Sequence, residues 1–450
     1  MSINEKDFEI ERIIDALKKM KNSRSWRMTR TLRIMKECLS TFIRKSQKAL
    51  LLYRTGGWRL LLKFIYNKST GILNEKKPSY LYKNELNKIL IKNKEKQIVI
   101  FKPVVDWNIP LFQRPHHIAK GLAAQGFLYF YCTPNGYDNV DGFLEMSDGC
   151  YLTNKVDLVS DIEARKIIHV YAADPKCKWQ MLESHLDAGD LVLYEYIDEI
   201  HSDIYGSDIP VDLLKRHELA IRDDRILCVA SADKLYEDVK KYRTKNLIKV
   251  TNGVEIEHFK ISRDYTKIPN ELKDIVNSGR SVIGYYGAFA KWLDYQLIEK
   301  MAKEHSNWHI LLIGWNYDKS IDKTRIGELE NVTVIGPINY VELPKYAIWF
   351  DVSTIPFLIN DVTESTSPVK LFEYMALGHP IVTTAMPECK KYESALVSHS
   401  AGEFMKNIVN ALSMEKNDKY HELLKREAFE NSWMQKSKDI SNLINRNKSL

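Results

Sequence analysis

The chain has 450 residues, 44% of them hydrophobic and 11% aromatic, which is too long for one core of ordinary size and too apolar for a disordered polymer. Six cysteines, Cys38, Cys132, Cys150, Cys177, Cys228 and Cys389, stand far apart with no C-x-x-C pair, so neither a zinc ribbon nor a disulfide framework is expected and a reduced cytoplasmic setting fits best. The net charge of +7 conceals an asymmetry: residues 21–70 hold 13 Lys or Arg against one acid, Glu37, so the rest of the chain is net acidic.

The opening "MSINEKDFEIE" lacks the apolar core of a signal peptide, and nowhere do 18 apolar residues run together, so no simple spanning helix is expected. In the basic segment that follows, Trp26, Leu32, Leu39, Phe42, Leu50, Trp58, Leu61 and Ile65 are interleaved with the cations in a helical pattern broken at Gly56-Gly57. Basic amphipathic helices with Trp and Leu on one face suit an anionic bilayer surface. Packing on the protein's own domains is the first alternative. Nucleic acid is the weakest, because no nucleic-acid motif accompanies the charge. Residues 1–95 are therefore read as an amphipathic extension and linker.

Beyond residue 95 the texture changes to short apolar runs alternating with helical patterns. "IVIFKP", "LYFYCTP", "KIIHVYAAD", "LVLYEYID", "ILCVAS" and "LIKVTNGV" form a first set of expected buried parallel strands, over residues 96–262. "SVIGYYGAF", "WHILLIG", "VTVIGPI", "FDVSTIPF" and "PIVTT" form a second, over residues 263–415. Residues 416–450 are expected to be one helix packing back across both domains. Two α/β sheets in tandem is the economical architecture. With no P-loop, no G-x-G-x-x-G and no Asp-x-Asp pair, the expectation is ligand binding without metal or resident cofactor.

The densest cluster of signals is "ESTSPVKLFEYMALGHPIV", from Glu364. Ser367 before Pro368 predicts a helix start with serine as N-cap. That start would open at the carboxyl end of a parallel strand, where α/β sheets bind ligands and a helix N-terminus attracts phosphate. Lys370 falls in the first turn, where a cation is unfavourable unless an anion is bound there. Glu373, three residues on, shares its face. Lysine to phosphate and glutamate to ribose hydroxyls would read a nucleoside diphosphate, whereas the plainer alternative is a surface Lys-Glu pair.

"PVKLFEYMALGHPIVTT" resembles the donor-site motif of GT-B glycosyltransferases, especially family 4-like enzymes. "VTNGVEIEHF", "YYGAFAKWLDYQLIEKMA" and "WNIPLFQRPHHIAKGLAAQGF" are similar to further segments of that family, in the order it requires, and the resemblance covers residues 97 to about 415. It implies an α/β GT-B fold: two Rossmann-like doubly wound domains with a cleft between them, here preceded by the helical extension. It also implies transfer of a sugar with retention from a nucleotide sugar, a UDP-sugar first, to a lipid-linked or cell-surface glycan. The enzyme would then sit peripherally on the cytoplasmic face of the plasma membrane.

On the donor side the resemblance and the local pattern point to Lys370, Glu373, Ser367, Val369, Gly287 and Lys291. The family places two glutamates eight residues apart, but Ser365 stands eight before Glu373 and Glu364 nine before, so the sugar contact is open between Glu364 and the pair Ser365 and Thr366. Arginine is common where Ala288 follows Gly287, which leaves Lys370 to carry most of the diphosphate charge, with Lys291 or Arg114 assisting. If configuration is inverted, a base is needed; the candidates are Asp106, His116, His117, Glu195 and Asp198. First-turn packing is the plainer alternative for the two histidines. A hydrolase or epimerase of the same fold and a catalytically silent membrane scaffold are the rival functions.

Overall fold

The computed structural model describes residues 78–109, 112–174, 177–205, 209–414 and 416–447. The basic stretch 21–70, with its expected membrane surface, lies outside the described residues. The chain divides into two compact units after Glu85, and of the first only residues 78–85, the opening of the helix Ser79–Lys92, are described.

The second unit carries two sheets. β1 (Ile98–Phe101), β2 (Leu128–Cys132), β3 (Phe143–Ser147), β4 (Cys150–Thr153), β5 (Lys166–Tyr171), β6 (Leu191–Tyr196), β7 (Leu227–Ala230) and β8 (Leu247–Lys249) lie in the order β3-β4-β2-β1-β5-β6-β7-β8. Further along the chain, β9 (Ser281–Tyr286), β10 (Trp308–Ile313), β11 (Val332–Ile335), β12 (Val352–Ile355), β13 (Ile381–Thr384) and β14 (Ala395–Ser398) lie in the order β11-β10-β9-β12-β13-β14. Every pairing is parallel except β3 with β4. Both sheets are doubly wound, with order reversing between β1 and β5 and between β9 and β12, and crevices open there beyond the carboxyl ends of the strands. Runs such as β2, "LYFYC", and β10, "WHILLI", are buried at every position because helices cover both faces.

The strands match the eleven apolar runs read from the sequence and add three. β3 and β4 form a hairpin turned at Asp148-Gly149, where Gly149 has φ +77°. β14 is a four-residue edge strand. Residues 416–447, expected as one helix, form two. Four helices matter for the site: α1 (Arg114–Ala124), α2 (Val369–Leu377), α3 (Asp418–Glu430) and α4 (Trp433–Arg446). The break falls at Asn431-Ser432, where Ser432 caps α4 by accepting from the Gln435 N–H. α3 packs on α2 of the second sheet's domain and α4 on α1 of the first. Trp433, Ile440, Leu443 and Ile444 are thus core residues of the N-terminal domain, although they come last in the chain. Where the chain crosses between domains, Val254 and Ser432 pair as a short parallel bridge, with Val254 N–H to Asn431 O and Trp433 N–H to Val254 O both 3.0 Å.

Candidate functional site

α2 follows β12, so its first turn opens into the crevice at the β9/β12 reversal. The helix begins at Val369, with Pro368 as the extended N-cap residue, rather than at Pro368 under a serine cap. Ser367 does not cap: its hydroxyl oxygen accepts from the Asn252 N–H at 3.2 Å and its carbonyl from Asn252 Nδ2 at 2.6 Å. The N–H groups of Val369 and Lys370 are consequently the unsatisfied donors of a helix start with no side-chain cap.

Lys370 lies beside two adjoining aromatic rings, its Nζ 4.7 Å from the ring centre of Phe357 and 5.4 Å from that of Tyr285. Burial lowers its pKa to about 8, against an opposing pull from Glu373. The ammonium makes no hydrogen bond or ion pair among the described residues. Space for it comes from Gly287, at φ +143°, where a Cβ would sit 2.9 Å from Tyr285 Oη and 3.0 Å from Lys370 Cε. Gly314, at the end of β10, approaches closer still, because a Cβ there would lie 1.7 Å from the Gly287 carbonyl oxygen.

Glu373 is 6% exposed, and its Oε2 accepts from Tyr286 Oη at 2.8 Å. Burial raises its pKa to about 7, while Tyr286 and Lys370 pull it down. A carboxyl whose folded pKa lies above its ordinary 4.5 binds its proton more tightly in the native state, so its contribution to stability is greatest below pH 4.5 and is lost as pH rises through 7. Glu373→Gln keeps an acceptor for Tyr286 and removes the buried charge. The variant should gain on the wild type by on the order of 2 kcal/mol between pH 5 and pH 8. Thermal melts at the two pH values measure this, and an offset that does not change with pH would refute the assignment.

The segment before α2 sorts itself by bonding. Asp361–Glu364 is a single helical turn capped by Asn360, whose Oδ1 accepts from the Thr363 N–H at 3.0 Å. Ser365 is fully buried, and its hydroxyl donates to Glu199 Oε2 at 2.7 Å, so it is committed to the opposite domain and is not open to a sugar. Thr366 Oγ1 donates to the Val362 carbonyl at 2.7 Å. Glu364 is partly exposed, and its carboxylate has no hydrogen bond or ion pair among the described residues. Lys291 is exposed in the loop after β9, where its N–H donates to Asp318 Oδ2 at 2.9 Å and its charge helps hold the Asp318 carboxyl down.

On the N-terminal side most of the expected acceptor groups are occupied structurally. Asp106 Oδ1 accepts from Thr133 Oγ1 at 3.2 Å and from the Tyr137 N–H at 3.1 Å. His116 closes a capping box with Gln113, accepting the Gln113 N–H at 3.0 Å on Nδ1, and stacks on Phe112 at 4.5 Å. These bonds of Asp106 and His116 shape the loop and helix start, and they leave Asp106 Oδ2 out. His117 is buried against Trp433, rings 4.8 Å apart and 9° from parallel; burial drives its pKa well down and keeps it neutral, with Nε2 lacking a partner.

Arg114 and Glu195 are paired with each other, while Arg114 Nη2 has no hydrogen-bond partner among the described residues. They belong to a buried chain in which Tyr129 Oη lies 2.7 Å from His169 Nδ1, His169 Nε2 lies 2.8 Å from Glu195 Oε1, and Arg114 Nε donates to Glu195 Oε2 at 2.5 Å. Arg114 Nη1 continues to the Thr251 carbonyl at 3.0 Å and Asn252 Oδ1 at 3.2 Å. Burial alone would raise the Glu195 carboxyl, but Arg114 and His169 hold it below the ordinary range. Asp198, three residues past Glu195, is different: burial pushes it up to about 6 against the pull of Arg114, and its carboxylate carries no hydrogen bond among the described residues. Of the candidate bases it is the one both free and poised near neutral pH. His169, Tyr129, Asn252 and Glu199 escaped the sequence reading, although a histidine inside the apolar run "KIIHVY" is a signal that a polar partner is buried beside it.

Residues 280–414, which carry the donor-side region, match the family described as glycosyl transferases group 1. The two facing Rossmann-like sheets around that region are the GT-B fold. Among curated proteins, the teichuronic acid biosynthesis glycosyltransferase TuaH of Bacillus subtilis (strain 168) is 31% identical over 231 residues, 48% of this chain and 56% of that protein. This chain thus spans about half the length of that relative. Among solved structures, sucrose-phosphate synthase from Thermosynechococcus elongatus superposes with TM-score 0.56 at 13% identity over 78% of this chain and 99% of that one. Anabaena HepE in complex with UDP gives TM-score 0.56 at 12% identity over 78% of this chain and all of that one. These likenesses define the fold.

Proposed function

We propose that the chain is a glycosyltransferase of bacterial surface-polysaccharide synthesis that transfers a sugar from a nucleoside-diphosphate donor, UDP-linked first, to a lipid-linked or cell-surface glycan, with retention and without a metal. The observation that carries this is Lys370: an ammonium without a carboxylate partner, held at an uncapped helix start beside Glu373. An anion at that start would take the free N–H groups and the lysine charge together. The bond from the sugar anomeric carbon to the diphosphate oxygen breaks as the bond to the acceptor oxygen forms. Lys370 and the α2 start stabilise the charge that develops on the leaving diphosphate. In the retaining course the acceptor proton passes to the leaving phosphate. In an inverting course Asp198 would take it.

Glu373 supplies an acceptor for ribose hydroxyls through Oε1, since Tyr286 occupies Oε2. Support for the donor class comes from HepE, crystallised with UDP and UDP-glucose, and for the pathway from TuaH. The basic amphipathic residues 21–70 favour an anionic membrane surface, where a lipid-linked acceptor is met in two dimensions; their removal should abolish salt-sensitive flotation with anionic liposomes.

A thermal-shift screen against UDP-, GDP- and ADP-sugars tests the donor, because a ligand selective for the native state raises its melting temperature by mass action. The expected result is a shift with one nucleotide class, followed by release of that nucleoside diphosphate only when a glycan acceptor is added. Release without acceptor would favour a hydrolase, and no binding or turnover with any donor would favour a silent scaffold.

A further inference from the structure

α2 presents an apparent contradiction. Its N-terminus must be placed accurately for a phosphate to meet both the backbone N–H groups and Lys370, yet nothing local fixes it: Ser367 is turned away and Pro368 has no N–H to give. The missing constraint comes from the other domain. Asn252, in the segment that leaves β8, meets Ser367 twice, through its own N–H and through Nδ2. Its Oδ1 is taken by Arg114 Nη1. With donor and acceptor ends both engaged, the side-chain amide has one orientation, and Arg114 is itself locked through Glu195, His169 and Tyr129 into the centre of the first sheet.

We infer that Asn252 is a positioning residue that sets the start of α2 from the N-terminal domain, so that the diphosphate-binding turn is aligned by the Tyr129–His169–Glu195–Arg114 chain rather than by its own cap. The inference rests on the donor-site reading above. Its physical content is that an uncapped helix start, needed to leave N–H groups for a ligand, is held by a strut that bonds one residue upstream and leaves those groups free. Lys370 is kept beside Tyr285 and Phe357 by the same restraint, since it is one turn from Ser367.

The test is calorimetric titration of the full chain with UDP, GDP and ADP from pH 7 to 9.5, using wild type, Asn252→Ala, Asn252→Asp and Lys370→Met. Asn252→Asp keeps the shape and the acceptor for Arg114 but faces the Ser367 carbonyl with an oxygen, so it should bind the nucleotide about tenfold more weakly, as Asn252→Ala should. The alkaline fall in affinity should also move to higher pH in both variants, because a Lys370 released from its place beside the two rings is better hydrated and holds its proton longer. A role in stability alone would lower the melting temperature and leave that limb in place. Wild-type affinity with an unmoved limb in Asn252→Asp, while Lys370→Met has lost binding, overturns the positioning role and leaves the donor site standing. Unchanged binding in Lys370→Met, or no binding of any of the three nucleotides by wild type, removes the donor site and this inference with it.

Discussion

Lys370→Met should cost on the order of a hundredfold or more in affinity for a nucleoside diphosphate while making the protein more stable. The two signs are opposite for one reason. In the free protein the ammonium is partly buried beside Tyr285 and Phe357 without a hydrogen-bond partner among the described residues, and burial lowers its pKa to about 8 from the usual 10.5. A lysine with a depressed folded pKa binds its proton more weakly in the native state than in the unfolded chain. Stability therefore rises as pH climbs from 8 towards 10.5, and below 8 the buried charge is a standing cost. An apolar side chain of similar length removes that cost and removes the diphosphate's counter-charge. Calorimetry with UDP and a thermal melt at pH 7 read the two effects, and equal affinity in wild type and variant would end the assignment. A lysine kept for structure would give the reverse result, a less stable variant with unaltered binding.

The largest loss of stability is expected from Glu195→Ala. The carboxylate is fully buried and serves two partners, so truncation leaves the Arg114 guanidinium charge without a carboxylate and His169 Nε2 without its partner in the same interior. Breaking a buried pair from one side costs about 3–5 kcal/mol, because the remaining charge has neither water nor partner. Tyr129→Phe, at the far end of the chain, removes one neutral hydrogen bond and should cost about 1 kcal/mol. Chemical denaturation of the three proteins gives the comparison, and a Glu195→Ala loss no larger than that of Tyr129→Phe would show that the chain is not an energetic unit.

The parallel strands were legible because burial on both faces writes them as apolar runs of four to six residues, unbroken in β1, β2 and β7. β3 and β14 were not, since a half-exposed edge such as "FLEMS" has neither the run nor a clean alternation. At the site, Lys370 and Glu373 could be singled out because their charges conflict with their positions, one at a helix start and the other inside an apolar helix. Ser367 was misread for a good local reason: serine before proline is a capping signal, and only the approach of Asn252 from another domain turns its oxygen away. Asp106 and His116 looked available because sequence shows which side chains carry chemistry and not which have already spent it on neighbours. Glu195 could be recognised as costly without revealing whether a partner or a substrate met the cost.

The contact between Gly287 and Gly314 bears on how this site could diversify. Where these two turns meet, a methyl group on Gly287 would press on Tyr285 Oη and Lys370, and one on Gly314 would displace the Gly287 carbonyl. Selection acting on side chains has nothing to work with at that contact. Any change of preference at this place has to come from the walls, in loops such as 288–294 and 356–366, around a main-chain floor that stays the same.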